Sequence, residues 1–410
     1  MLGDPIMSAH TVILGAGQAA AQTVASLRQE GYSGAITVVG EEPYPPYQRP
    51  PLSKAYLSGE LPADRLFLRP EEFWSEVKCD LRLGVQAVAV DRAAKTVTLS
   101  QGAALPYTDL VFATGSRVRT LPLPGAELDG VLYLRGIADV DQLRPRMVAG
   151  QSIAVVGGGY IGLEVAAVAR KLGLEVTVFE MADRVLARVA SPALSAFYAS
   201  EHARHGVRIV TGAQVKGFHR NGSGALTVDS SAGPVLAHTV LVGAGILPNQ
   251  ELAQTAGVHC ANGIVVDEYG RTSDPHIYAA GDCANLSCPY VPQRLRLESV
   301  QNAIDQAKHV AAAIAGKPKP YGEVPWFWSD QYELKLQIAG VGLPGDVHVV
   351  RGDVAARAFA VFHLRDGVIV AVEAVNAAPE YMMGRRLIAN RAKVPPERLA
   401  DRAIPMKEMA

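Results

Sequence analysis

Long apolar runs are missing from this chain. Glycine and charged residues interrupt every stretch before it reaches the roughly 20 residues that a membrane-crossing helix needs. Cysteine is scarce: Cys79, Cys260, Cys283 and Cys288 are too few and too scattered for a disulfide framework, so all four are expected as free thiols. Net charge is nearly absent as well, at −1. No global field therefore draws the chain to nucleic acid or to an anionic membrane, and a charged partner must be met by a local patch. The leader "MLGDPIMSAH" has no basic n-region and runs straight into a strand-like stretch, so it does not read as a signal peptide. These absences together predict a cytoplasmic protein.

What is present is a globular composition, 49% apolar and 19% charged, over 410 residues, enough for two or three domains with proper cores. The chain carries an internal repeat. "HTVILG" leads into Gly15-x-Gly17-x-x-Ala20, then the helical "AAAQTVASLRQEG", then "AITVVG" ending at Glu41. "SIAVVG" leads into Gly157-x-Gly159-x-x-Gly162, then "LEVAAVARKLG", then "EVTVFE" ending at Glu180. Each copy reads as a βαβ unit whose apolar, β-branched runs suit buried parallel strands. "YTDLVFATGSRVRTLPLPG" reads as a strand, a turn and a proline-rich crossover, and "HTVLVGAGILPNQEL" and "IYAAGDCAN" later repeat the pattern of an apolar strand closing on small residues, which places the second unit inside the first, with the first unit's last strand returning near residue 277. From Trp326 the period changes. "YELKLQIAGV" alternates polar and apolar, and "AFAVFHLRDGVIVAVEAV" reads as two strands joined at Asp366-Gly367, a hairpin signal. The tail predicts a short helix and a surface arm. The fold class expected is α/β, two Rossmann-like dinucleotide-binding domains followed by a C-terminal α+β domain on an antiparallel sheet.

The chemistry follows from the glycines. The first of each fingerprint allows the tight turn from strand to helix, the second lets backbone approach a pyrophosphate, and the third position must be small so that helix and strand pack closely, a requirement Ala20 also meets. The helix N-terminus offers N–H groups and partial positive charge to the phosphates. Glu180 lies near the spacing of about 20 residues expected for a carboxylate on a ribose 2′-OH, and Glu41 lies slightly beyond it. Two such units imply two dinucleotides and electron transfer between them. Glu180 repels a 2′-phosphate and Met181 offers no guanidinium, so NADH is favoured over NADPH, although Arg184 and Arg188 lie close by.

With both fingerprints placed, "YQRPPLSKAYL", "ATGSR", "GGGYIGLEVAA", "AAGDCA", "RLESVQNA" and "PWFWSDQYELKLQ" together resemble the FAD-dependent NADH:ferredoxin reductases of bacterial monooxygenase and dioxygenase systems, over essentially the whole chain. The resemblance implies a glutathione-reductase-like architecture: residues 1–117 and 248–325 as the two parts of an FAD-binding domain, 118–247 as an inserted NAD-binding domain, and 326–410 as the C-terminal domain. It assigns Gly15, Gly17 and backbone near Ala19 to the FAD pyrophosphate, Glu41 to the adenosine ribose, and Thr114, Gly115, Arg135 and backbone near Ala87 to the same cofactor. Asp282 would bind its ribityl or pyrophosphate portion, and the helix beginning near Val300 would aim its N-terminus at the flavin pyrimidine. Arg49 and Lys54 would lie beside the isoalloxazine, Lys54 pairing with Glu164, and these two are the catalytic candidates. Trp328 would pack near the ring. Glu164 would thus lie near flavin N5, and Gly157, Gly159, Tyr160, Ile161, Gly162 and Glu180 would serve NADH, with Tyr160 either covering the flavin or simply packed. No metal is expected.

Relatives that reduce disulfides carry a redox cysteine in an early loop, and "RPPLSKAYLSGE" has none; Cys283 and Cys288 instead follow "AAGD". Electrons are therefore expected to leave the flavin singly for a [2Fe–2S] ferredoxin, a transient, electrostatically steered partner. The ferredoxin in turn would feed a cytochrome P450 or a ring-hydroxylating oxygenase. A rubredoxin or monodehydroascorbate reductase, or a redox-sensing interaction protein like apoptosis-inducing factor, are the alternative readings. A monomer or weak homodimer is expected, binding neither nucleic acid nor membrane. Arg65, Arg69, Arg294, Arg296 and Lys407 are the basic residues expected to steer the acidic partner.

Overall fold

A computed structural model describes residues 8–222 and 224–409; the leader through Met7, read above as no signal peptide, lies outside the described residues. The chain divides into two compact units. One contains the residues up to Gln48 with Asp64–Arg117 and Leu247–Pro325; the other contains Arg49–Ala63, Val118–Ile246 and the chain from Trp326 onward.

The first unit is built on a five-stranded parallel sheet in the order Ile277–Ala279, Asp109–Phe112, His10–Leu14, Ala35–Gly40, Cys79–Leu83. Its inner strands are largely apolar because both faces are covered, whereas the edge strand Cys79–Leu83 carries Asp80 and Arg82. On one face, helix Gln18–Gln29 buries Ala20, Ala21, Val24 and Leu27 against Ala303, Val310 and Ala311 of helix Val300–Ile314. Alanines on both helices allow them to approach closely. The strand order reverses beside His10–Leu14, so the C-terminal ends of this strand and of Asp109–Phe112 flank a switch point, where such sheets bind ligands. Strand Ile277–Ala279 is thus the returning strand that the sequence pattern placed near residue 277. A small antiparallel sheet of Ala87–Asp91, Thr96–Leu99 and Ala104–Pro106 completes the other side of the core.

The second unit repeats the layout. Its parallel sheet runs Val207–Val210, Glu175–Phe179, Ser152–Val156, Thr239–Val242, Val131–Leu132. Helix Tyr160–Lys171 follows the second fingerprint. From Trp326 a five-stranded antiparallel sheet takes the order Trp326–Gln331, Leu334–Gly340, Val368–Val375, Ala358–Arg365, Val347–Asp353, with helix Ala378–Ala389 packed on it. The hairpin at Asp366-Gly367 holds both residues at positive φ, 52° and 77°, as a type I′ turn requires. The tail contributes the short helix Pro396–Ala400. Strand Val347–Asp353 was not read from the sequence, since its exposed Val347 and Val350 and its buried Arg351 invert the usual alternation.

Segment Arg49–Ala63 belongs to the second unit for physical reasons. Pro50 and Pro51 set the φ of a single tight turn, Pro50–Ser53. Beyond it, the Arg144 guanidinium donates to the Tyr56 carbonyl and lies 4.2 Å from the centre of the Tyr56 ring.

Candidate functional site

In the first unit, Gly15 sits at φ +106°, and a Cβ there would stand 2.1 Å from the Ala113 carbonyl oxygen. Only glycine permits that approach. Gly17 begins the helix with no side-chain cap, no acidic residue follows in the first turn, and the space where a Cβ would be is open. The first-turn N–H groups thus lack the side-chain acceptor that usually caps a helix, an arrangement that suits a bound phosphate. Thr114 and Gly115 leave the neighbouring strand; Thr114 Oγ1 donates to the Asn249 carbonyl at 2.6 Å, and the Gly115 carbonyl accepts from Asn249 N at 3.0 Å. Asp282 follows the third strand, and its carboxylate accepts from Ser116 Oγ at 2.7 Å. Gly15, Thr114, Gly115 and Asp282 therefore gather at the ends of three adjacent strands. Glu41 is exposed just past strand Ala35–Gly40, and Ala87 opens the small antiparallel sheet. Helix Val300–Ile314 starts at Val300 behind the N-cap Ser299, whose hydroxyl accepts from Asn302 N.

The second unit has the same cradle. Gly157 has φ +110°, and a Cβ would stand 2.4 Å from the Gly243 carbonyl oxygen. Gly159 caps the helix without a side chain and faces open space. The Glu180 carboxylate is held at the lip of the turn, accepting from Gly158 N and from Ala182 N, each at 2.8 Å. Arg184 is already committed: its guanidinium donates to the Ala187 and Ala190 carbonyls and to Ser195 Oγ. Ile161 and Met181 are exposed beside the turn.

Glu164 lies four residues after Tyr160 on the fingerprint helix and is 3% exposed. Burial of a lone carboxylate is costly, so its partners matter. Lys54 Nζ is 2.7 Å from Oε2, Ser53 Oγ donates to Oε2 at 2.5 Å, and Ser329 Oγ donates to Oε1 at 2.6 Å. Lys54 also donates to the Pro50 carbonyl at 3.1 Å and keeps its side chain 20% exposed, with a third N–H uncommitted. Period-two alternation sorts the strand Trp326–Gln331. Phe327 and Ser329 face the helix, Phe327 packing on the Tyr160 ring at 4.6 Å, whereas Trp328 lies on the opposite face, 5.6 Å from Trp326. Arg49 Nη1 donates to the Arg135 carbonyl at 2.7 Å, and Arg135 N donates to Asp139. The two serines were missed in the sequence. Both stand in the quoted motifs, but they lie 111 and 165 positions from Glu164, and no spacing rule joins residues that far apart.

Two of the basic residues expected to steer a partner are otherwise engaged. Arg294 donates to the Val266 and Asn285 carbonyls, and the Arg296 side chain, 8% exposed, holds the Asp282 carbonyl and pairs with Glu298. They brace the loop that carries Asp282; Arg296 is turned inward, whereas Arg294 remains exposed. Arg65, Arg69 and Lys407 are exposed. Cys283 is fully buried, its thiol donating to the Phe112 and Ala280 carbonyls, and burial pushes both it and Cys288 up. Neither is a ready nucleophile. Among the described residues no cluster of acidic, histidine and cysteine side chains could hold a metal ion, and no helix is long and apolar enough to cross a membrane.

Comparison with known proteins agrees with this geometry. The pyridine nucleotide-disulphide oxidoreductase family matches residues 9–307 and the reductase C-terminal family matches 326–410. Rhodocoxin reductase of Rhodococcus erythropolis is 45% identical, covering 97% of this chain and 93% of its own. The ferredoxin–NAD(+) reductase component of the anthranilate 1,2-dioxygenase system of Burkholderia cepacia is 42% identical, covering 99% of each. The crystal structure of the covalent putidaredoxin reductase–putidaredoxin complex superposes with a TM-score of 0.95 at 40% identity, over 98% of each chain. The chain therefore belongs to the pyridine nucleotide-disulphide oxidoreductases, as one of their FAD-dependent NADH:ferredoxin reductases.

Proposed function

We propose that this protein draws two electrons from NADH and delivers them one at a time to a [2Fe–2S] ferredoxin serving a cytochrome P450 or a ring-hydroxylating oxygenase. NADH is a cytoplasmic reductant, and the cytoplasm is where we place the reaction. The observation that carries the reading is the ion pair of Lys54 with buried Glu164, a carboxylate on the very helix whose bare N-terminus forms the second cradle. Residues 1–117 with 248–325 would bind FAD, 118–247 NADH, and 326–410 would complete the protein as its C-terminal domain.

Bound FAD accepts electrons as a hydride and releases them singly, the conversion needed between a nicotinamide and an iron–sulfur protein. The chain supplies placement and charge. Gly15, Gly17 and Ala19 present backbone to one pyrophosphate, with Glu41, Ala87, Thr114, Gly115, Arg135, Asp282 and Val300 as further contacts. Gly157, Gly159, Tyr160, Ile161 and Gly162 take the other dinucleotide, and Glu180 takes its ribose. Arg49, Lys54, Glu164 and Trp328 serve the redox ring, the Lys54 ammonium offering a fixed positive charge where negative charge accumulates. Exposed Arg65, Arg69 and Lys407 would steer a transiently bound acidic ferredoxin, the reductase itself working as a monomer or weak dimer.

Anaerobic mixing tests this. One NADH should yield two reduced ferredoxins, one NAD+ and one proton, and Lys54→Met should slow flavin reduction by about tenfold or more. Flavin that NADH reduces but that fails to pass electrons to any [2Fe–2S] ferredoxin would favour a redox-sensing role instead.

A further inference from the structure

The hydrogen bonds around Glu164 do not stop at Ser329. Gln331 Nε2 donates to Ser329 Oγ at 3.2 Å, Gln331 Oε1 lies 2.9 Å from His202 Nε2, and His202 Nδ1 lies 2.9 Å from the Tyr332 hydroxyl. Ser329 and Gln331 are buried at 0% and 1% exposure, and His202 at 0%. The direction of every bond follows from the carboxylate. Ionised Glu164 only accepts, so the single Ser329 proton is committed to it and Ser329 Oγ must accept. Gln331 therefore turns its NH2 to Ser329 and its carbonyl to His202. His202 must then carry its proton on Nε2, which leaves Nδ1 bare to accept from Tyr332.

We propose that Tyr332, His202, Gln331 and Ser329 form a one-way donor chain that locks Glu164 as an ionised acceptor, making them positioning residues that hold the Lys54 ammonium at the redox centre. This rests on the reading of Lys54–Glu164 as the pair serving that centre.

Three further features fit a chain set in one direction. Burial pushes His202 down to about 4, only partly offset by Gln331, so the ring is neutral at physiological pH as the chain requires. Burial likewise raises Tyr332, which keeps it a donor. Tyr332 also has φ +56° at the first central position of the two-residue turn between strands Trp326–Gln331 and Leu334–Gly340, a place that favours glycine. A tyrosine kept there against backbone preference is one whose hydroxyl is used. His205 stacks flat on its ring at 3.7 Å and holds it in place. The titratable neighbours of Glu164 are Lys54, Tyr160 and Tyr198; Glu201 and His205 face His202, and Arg170, Glu201 and Glu333 face Tyr332.

The test uses the FAD-loaded protein with isotope-labelled histidine, read by NMR beside stopped-flow reduction with NADH. His202 should remain neutral with its proton on Nε2 from about pH 5 to about pH 9. Ser329→Ala should move the acid limb of flavin reduction upward by about one pH unit, and Ser329→Thr should restore it. Tyr332→Phe, at the half-buried outer end and least able to disturb folding, should give a mixed His202 tautomer and a smaller shift of the same sign. A His202 proton found on Nδ1, or a His202 tautomer unmoved in folded Tyr332→Phe protein, overturns the chain. A His202 tautomer that responds as expected while flavin reduction stays unchanged in folded Ser329→Ala protein supports the chain and overturns the assignment of the pair to the redox centre.

Discussion

Glu180 concentrates two duties in one side chain. Its carboxylate ties the turn through Gly158 N and Ala182 N while presenting negative charge at the rim of the second cradle, with Arg184 spent on neighbouring carbonyls. Glu180→Ala should therefore narrow the preference for NADH over NADPH by about tenfold, equivalent to about 1.4 kcal/mol for one charge-assisted contact. Ratios of kcat/KM for the two nucleotides measure it. Equal use of both by the unmutated protein would remove Glu180 from this role. The sequence interval pointed to Glu180 directly, but nothing in it showed that Arg184 is engaged, since that depends on how the loop through Ala190 folds back.

Helix Val300–Ile314, whose N-terminus opens behind Ser299, is pinned near its other end by a geometry that requires a charged histidine. His309 Nδ1 faces the Lys319 carbonyl at 2.8 Å and Nε2 faces the Glu323 carboxylate at 3.0 Å, so both nitrogens must donate. Burial opposes charge on His309, but Glu323 and the Lys319 carbonyl outweigh it and raise its pKa. Burial would also raise Glu323, yet His309 and backbone N–H groups bring it down to about 2. The His309 contribution is fully present below its ordinary 6.5 and fades as pH rises through the raised folded value. The Glu323 contribution is present above 4.5 and is lost as pH falls through about 2. The pair therefore stabilises most between 4.5 and 6.5. Because Glu323 is partly exposed, up to about 1 kcal/mol is expected. Glu323→Gln should lower the thermal midpoint more at about pH 5.5 than at about pH 9; an equal loss at both would mean the contact is not ionic.

For the whole molecule, the burial of Cys283 and Cys288 leads to an expectation about the route of the electrons. Replacing Cys283 and Cys288 together with Ser should leave ferredoxin reduction nearly intact. A folded double variant whose flavin still accepts electrons from NADH but no longer passes them on would show a thiol in the path. Partner capture should respond to surface charge in a different way. Arg65 and Arg69 are exposed and Arg69 rests on Phe73 at 5.1 Å, so their reversal to Glu removes charge without opening a core. The expected result is a higher KM for ferredoxin with a weaker salt dependence and unchanged flavin reduction by NADH, since exposed charges act mainly on association. Arg294→Glu should instead disturb the loop bearing Asp282, seen as weakened FAD retention, because its guanidinium holds the Val266 and Asn285 carbonyls.

Local pattern was enough for much of this. Glycine at positions 15 and 157, the apolar strands before them and the acidic residues ending the strands after them announce two dinucleotide units, because turn, helix and strand geometry are set within a few residues. The Asp366-Gly367 hairpin was readable for the same reason. Long-range convergence was not. That Ser53, Lys54, Ser329 and, through Gln331, His202 meet around Glu164 depends on segments far apart in sequence being packed against one helix, and a serine carries no periodic signal of the partner it will find. Nor could composition show that Arg296 turns inward while Arg294 stays exposed, since a guanidinium is equally at home on a surface or bound to buried carbonyls, and only the path of the surrounding backbone selects between them.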